Sequence, residues 1–239
     1  MLYHLLVPLT NRLSFLNIFR YITFRAAYAM VTALLICFLL GPWVIRKLKA
    51  HQVQEKIRDD GPKTHLSKEG TPTMGGLIVL FGIVLPTLLW ADLSNPYVLL
   101  VLFSTIWLGM VGFVDDYLKA IKKMPKGLVG KYKLVGQLVL GIVVGSVLYF
   151  RPIAPQWATM TEVPFLKEWM IDFSWLYIPF VVFVITGTSN AVNLTDGLDG
   201  LAIGLVAIGV AAFGVVSYVG AGWTSALIWA FYICRDAEN

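Results

Sequence analysis

Several stretches of this chain run apolar for close to the roughly 20 residues that a helix needs to cross a bilayer. No other feature constrains the fold as strongly. Lipid offers no hydrogen bonds, so a spanning segment must satisfy its own backbone, and helices are the expected result. Composition agrees: 58% of the 239 residues are hydrophobic and only 14% are charged, where a soluble domain carries about 25%. Mean hydropathy is +0.74. The expected fold class is all-α, a polytopic integral membrane helical bundle with about six full transmembrane helices plus a partial segment.

The spans are read at about Phe24–Ile45, Thr73–Trp90, Tyr97–Val114, Leu134–Phe150, Ser174–Ala191 and Leu201–Val219. Gly41-Pro42 interrupts the first only weakly, and Pro179 is expected to kink the fifth. Residues 91–96 are short enough to force a hairpin of helices. The apolar piece 223–234 is too short for a confident crossing. The first 22 residues lack the order of basic, apolar and small residues that marks a cleaved leader, and are expected to lie along the membrane surface. Residues 1–239 read as one membrane domain, with cytoplasmic loops at 46–72, 115–133 and 192–200.

That orientation comes from the lysines and arginines. Residues 46–71 hold seven of them and 115–133 hold six. The opposite loops hold Asp92 alone, then Arg151 and Lys167 against Glu162, Glu168 and Asp172. Basic loops mark the cytoplasmic side. The net charge of +5 is therefore a topology signal, not a nucleic-acid footprint. Cys37 and Cys234 are too isolated for a disulfide framework or a thiolate metal site.

Two acidic clusters end up at the same membrane face. Asp115 and Asp116 end an outside-to-inside helix, where the dipole disfavours anions. Adjacent helical residues point about 100° apart. One of the pair suits a divalent cation such as Mg²⁺, which keeps waters and phosphate oxygens, and the other suits substrate. The plainer alternative is a solvated helix end. In Asn193-Leu-Thr-Asp196-Gly-Leu-Asp199-Gly200 the two aspartates share a face if the segment is helical, and the next helix start can receive an anion. Helix capping explains one of these aspartates but not the set. Asn190 sits one turn earlier. Lys68 and Thr73 flank a Gly- and Pro-rich approach to the second span, a shaped turn that offers a cation and a hydroxyl. Asp59-Asp60-Gly61-Pro62 reads as a turn, and His65 stands alone. No P-loop, HExxH or nucleophile elbow is present. The lysines of 115–133 serve topology and lipid headgroups, and some of them could gather a polyphosphate.

Asp59–Pro62, Lys68–Gly76, Gly112–Tyr117 and Asn190–Gly200 resemble motifs of the phospho-N-acetylmuramoyl-pentapeptide-transferase family, within the polyprenyl-phosphate N-acetylhexosamine-1-phosphate transferases. The resemblance covers essentially residues 20–220. It implies transfer of phospho-MurNAc-pentapeptide from UDP-MurNAc-pentapeptide to undecaprenyl phosphate, with Mg²⁺ as cofactor, at the cytoplasmic face of the bacterial inner membrane. Asp115 and Asp116 then match the catalytic pair, and Asp116 and Asp199 the metal side. Lys68, Thr73, Lys119, Lys123, Lys131, Asn190, Asn193, Asp196 and Asp199 match substrate-binding positions. Membrane lipids and a second copy of the chain are the further partners implied. A third family aspartate and a histidine-rich loop are expected to lie further along than these residues. A related transferase using an N-acetylglucosamine phosphate donor and a cation-coupled transporter are the competing readings; a transporter needs its carboxylates near midplane.

Overall fold

The computed structural model describes residues 1–11, 13–50, 74–122, 124, 127–152, 155, 158–163, 169–195 and 200–217. A short helix α1 (Leu2–Leu9) and a 3₁₀ turn (Ser14–Arg20) precede α2 (Ile22–Ala50). Then come α3 (Gly76–Trp90), α4 (Pro96–Ala120) and α5 (Gly130–Phe150). A two-stranded antiparallel hairpin, β1 (Met160–Glu162) and β2 (Met170–Asp172), leads through a 3₁₀ turn (Ser174–Leu176) into α6 (Tyr177–Thr195). The last described helix is α7 (Leu201–Ser217). The chain divides into two compact units, Met1–Thr186 and Gly187–Asn239.

This is a polytopic helical membrane protein. Among the described residues, four helical segments are long and apolar enough to cross a membrane: Ile22–Leu48, Pro96–Ala120, Gly130–Phe150 and Ser174–Thr195. Helices α3 and α7 are apolar but shorter. The helices also run past the apolar stretches that announce them. α2 continues to Ala50 through Arg46 and Lys47, and the Lys47 ammonium lies 4.6 Å from the Trp43 ring centre. α4 continues through Asp115 and Asp116 to Ala120, because nothing from Tyr117 to Ala120 breaks a helix. Pro179 produces no interior break: it sits in the first turn of α6, where an amide has no helical partner to lose. The hairpin of residues 160–172 was not foreseen, since its strands are only three residues each.

Tight turns fix the order of the first unit. Asn95 caps α4, its side chain accepting from the Tyr97 N–H at 2.9 Å, and Pro96 takes the first helical position. Asp92 accepts from the Ser94 N–H and hydroxyl. On the same turn, His4 of α1 accepts from the Leu93 N–H at 3.2 Å, so α1 lies against the α3–α4 connection. At the other surface loop, Asp172 accepts from the Thr159 hydroxyl and the Ser174 N–H, and these bonds hold its carboxyl below the usual carboxylate range. A depressed native pKa means the tie is complete above the unfolded value of 3.8 and is lost only as pH falls through the lower native value. A carbon-13 titration of the Asp172 carboxylate should give a midpoint below 3.8; a midpoint at or above it would contradict the tie.

Helix contacts in lipid gain little from hydrophobicity and depend on close approach. Gly141 and Gly145, four apart on α5, are buried against α6. A Cβ on Gly141 would stand 2.8 Å from the Val182 Cα, a backbone atom that cannot swing aside. Gly136 similarly receives Val111 of α4, and Gly82 of α3 receives Cys37 of α2. Gly141→Leu should therefore lower stability by about 1–3 kcal/mol through overpacking. Gly112→Ala, where a Cβ meets nothing within 4 Å, should be neutral or slightly stabilising. Thermal unfolding of both variants in one detergent checks this, and equal melting temperatures would contradict it.

Candidate functional site

The densest charge cluster among the described residues forms where α4 ends and α5 begins. Asp115 is only 6% exposed, one helical turn before the end of α4. One carboxylate oxygen, Oδ2, lies 2.8 Å from the Lys119 ammonium and 2.6 Å from that of Lys133. The other, Oδ1, accepts the Leu128 N–H at 2.8 Å. Each partner follows from local structure. Lys119 is the i+4 neighbour on α4 and favours the helix C-terminus that Asp115 disfavours. Lys133 lies in the first turn of α5. Leu128 is delivered by a turn in which the Gly127 N–H bonds the Met124 carbonyl.

Gly127 makes that turn possible. Its φ is +56°, a region side chains rarely adopt, and a Cβ there would sit 2.5 Å from Asp115 Oδ1. The close approach of the turn to the carboxylate thus requires glycine on two counts.

Asp115 meets two ammoniums, and the neighbouring Asp116 brings the junction to two carboxylates and two ammoniums. An isolated buried carboxylate would be costly, and its partners compensate it. Lys119 and Lys133 are the cations of this junction that an anionic ligand would meet. Asp116 is half-buried and, by helical geometry, points about 100° away from Asp115. Among the described residues, no three His, Cys, Asp or Glu side chains are grouped to hold a metal ion. Asp115 already serves three donors. Asp116, beside it, is the carboxylate that the sequence assigned to Mg²⁺, an ion that commonly takes only one or two carboxylates beside phosphate oxygens.

The expected residues separate into four groups. Asp115 and Lys119 are in direct contact, with Asp116 beside them. Lys131 is exposed in the first turn of α5, outside the Asp115 cluster. Asn190 and Asn193 are exposed on the last turns of α6, in the second unit. Lys68, Thr73, Lys123, Asp196 and Asp199 lie outside the described residues. Just after Thr73, Met74 is buried with a φ of 73°, a left-handed backbone immediately before α3. Lys133 and Gly127 were not among the expected site residues. Lys133 was hidden among the topology lysines, and its one distinguishing signal was its position just past Gly130, where α5 begins.

Comparison with known proteins places these elements. The family model described as glycosyl transferase family 4 matches residues 98–235, which include α4, the junction and α5. The phospho-N-acetylmuramoyl-pentapeptide-transferase signature 1 matches residues 68–80, across the Met74 turn. Proteins named phospho-N-acetylmuramoyl-pentapeptide-transferase are similar over most of the chain. The one from Pelobacter propionicus is 56% identical over 92% of this chain and 60% of its own length. That of Citrifermentans bemidjiense is 52% identical over the same shares. That of Gemmatimonas aurantiaca is 49% identical over 100% of this chain and 65% of its own length. The chain thus spans about 60% of the length of such relatives.

The two lysines differ in exposure, 49% for Lys119 and 28% for Lys133. Solvent screening should reduce the Lys119 pair to about 1 kcal/mol or less. Lys133→Met should cost roughly 1.5–3 kcal/mol, as for a hydrogen bond to a charged group. Denaturant titration of the two variants checks the ranking, which an equal or reversed order would overturn.

Proposed function

The chain belongs to glycosyl transferase family 4, and we propose that it transfers phospho-MurNAc-pentapeptide from UDP-MurNAc-pentapeptide to undecaprenyl phosphate, giving lipid I and UMP at the cytoplasmic face of the bacterial inner membrane. The signature across residues 68–80 and the names of the relatives support the chemical class. The observation that carries the reading is the Asp115 cluster: two lysines held on one buried carboxylate at the end of an apolar helix, where a lipid-borne phosphate would meet a water-borne nucleotide.

In the proposed reaction a phosphate oxygen of undecaprenyl phosphate bonds to the β-phosphorus of the donor. The bond from that phosphorus to the oxygen shared with the α-phosphate breaks, and UMP leaves with the electron pair. Lys119 and Lys133 offset charge on the phosphates. Asp115 holds both ammoniums in place. Asp116, together with Asp199, would hold Mg²⁺, which when bound neutralises pyrophosphate oxygens. Lys68, Thr73, Lys123, Lys131, Asn190, Asn193 and Asp196 are assigned to substrate in this reading. One displacement suffices, with no aspartyl-phosphate intermediate.

Membranes carrying the chain, supplied with radiolabelled UDP-MurNAc-pentapeptide and undecaprenyl phosphate, should form a labelled lipid and release UMP. Chelation with EDTA should stop the reaction and added Mg²⁺ restore it. Lys133→Ala should lower kcat about 10²-fold, the usual loss when one preorganised charge-stabilising donor is removed. Product from UDP-N-acetylglucosamine but none from the muramyl donor would overturn the assignment.

A further inference from the structure

The β1–β2 hairpin lies between two membrane-spanning segments, α5 and α6. Two three-residue strands are marginal in water and need a face to rest on. The register pairs Met160 with Asp172, Thr161 with Ile171 and Glu162 with Met170, and the Val163 N–H extends the ladder to the Trp169 carbonyl. Alternation along the second strand puts Trp169, Ile171 and Phe173 on one face.

That face is anchored at one end only. The Phe173 ring stacks on Phe180 of α6, with centroids 4.3 Å apart. Asp172 ties the strand to the Ser174 turn that opens the span. The hairpin is thereby held at the level of the first turn of α6. Tyr97, at the start of α4, donates to the Arg151 carbonyl at the end of α5. The ends of three spans therefore share this level. Further along the same face, Ile171 and Trp169 have little protein over them, and Trp169 is 68% exposed. On the span that follows, Trp175 is 71% and Phe183 75% exposed.

We propose that the hairpin is a lipid-docking element: its Trp169–Ile171–Phe173 face lies in the headgroup–acyl boundary of the bilayer, with Trp169 and Trp175 as interfacial anchors. Three observations select lipid as the occupant. Exposed apolar side chains continue along the chain from Trp169 and Ile171 to Trp175 and Phe183 of the following span. Phe173 fixes the face at the depth of the helix end. Indole rings, apolar with one N–H donor, are the side chains that favour this boundary. The inference is independent of the proposed reaction.

The test uses the full chain in nanodiscs of phosphatidylethanolamine and phosphatidylglycerol, with Cys37 and Cys234 replaced by serine. A nitroxide is attached at Ile171→Cys, and its collisions with oxygen and with a water-soluble nickel complex are measured. Labels at Phe183→Cys and Lys122→Cys give the lipid and water references. The Ile171 label is expected to collide with oxygen several-fold more often than with nickel, close to the Phe183 reference. Adding Trp169→Ser should raise nickel collisions several-fold while circular dichroism stays unchanged. A label as accessible to nickel as the Lys122 reference would overturn the proposal. So would a label shielded from both reagents, which would mean that protein, such as a second copy of the chain, covers the face. A Trp169→Ser variant with unaltered accessibility would also overturn it.

Discussion

A carboxylate at the foot of an apolar helix cannot stand alone, and the way Asp115 is compensated organises everything around it. Lys119 answers it from the same helix, Lys133 from the next, and the Leu128 amide from the turn between them. These contacts join the end of α4 to the start of α5 and set the path of the connection. Gly127 is what lets that connection pass so close.

The lock needs helices that hold still beneath it. In lipid the gain from burying leucine against leucine is small, because lipid tails are equally apolar, so rigidity comes from how closely backbones can approach. Glycines at successive contacts provide that approach: Gly82 toward α2, Gly136 toward α4, Gly141 and Gly145 toward α6. Trp107 reinforces one of them by donating its indole N–H to the Gly136 carbonyl at 2.9 Å, one turn from Lys133. The packing of α4 on α5 and the position of the Lys133 ammonium are therefore set by the same short stretch of chain.

Much of this was legible before any coordinates, and what was not has a physical cause. Apolar run length disclosed the helices, because lipid leaves the backbone no alternative. Gly141 and Gly145, four apart in an apolar run, carry the small-residue spacing of a packing face. Helix ends were read short at Ile45 and Val114, since hydropathy stops where charge begins while helical hydrogen bonding does not. Asp115 and Lys119 could be singled out from charges placed where helices rarely need them. Lys133 could not, because one lysine in a basic loop looks like its neighbours until the turn at Gly127 selects it. The hairpin was invisible because strands of three residues have no period to detect, and because its stabilising surface lies on another element.

The geometry also bears on how a phosphate acceptor would be activated in the proposed reaction. A carboxylate accepting from two ammoniums and an amide is a poor proton acceptor, and a strong base is not required. A phosphate monoester has a second pKa of about 6, so at neutral pH about nine-tenths of it is already fully ionised. Removing the last proton by general base catalysis would therefore gain almost nothing in population. Placing one preorganised charge against the developing oxyanion is worth about 10²–10³ in rate. On those magnitudes Asp115 does more by fixing two lysines than by taking a proton, and its burial beneath both of them is the arrangement that this role calls for.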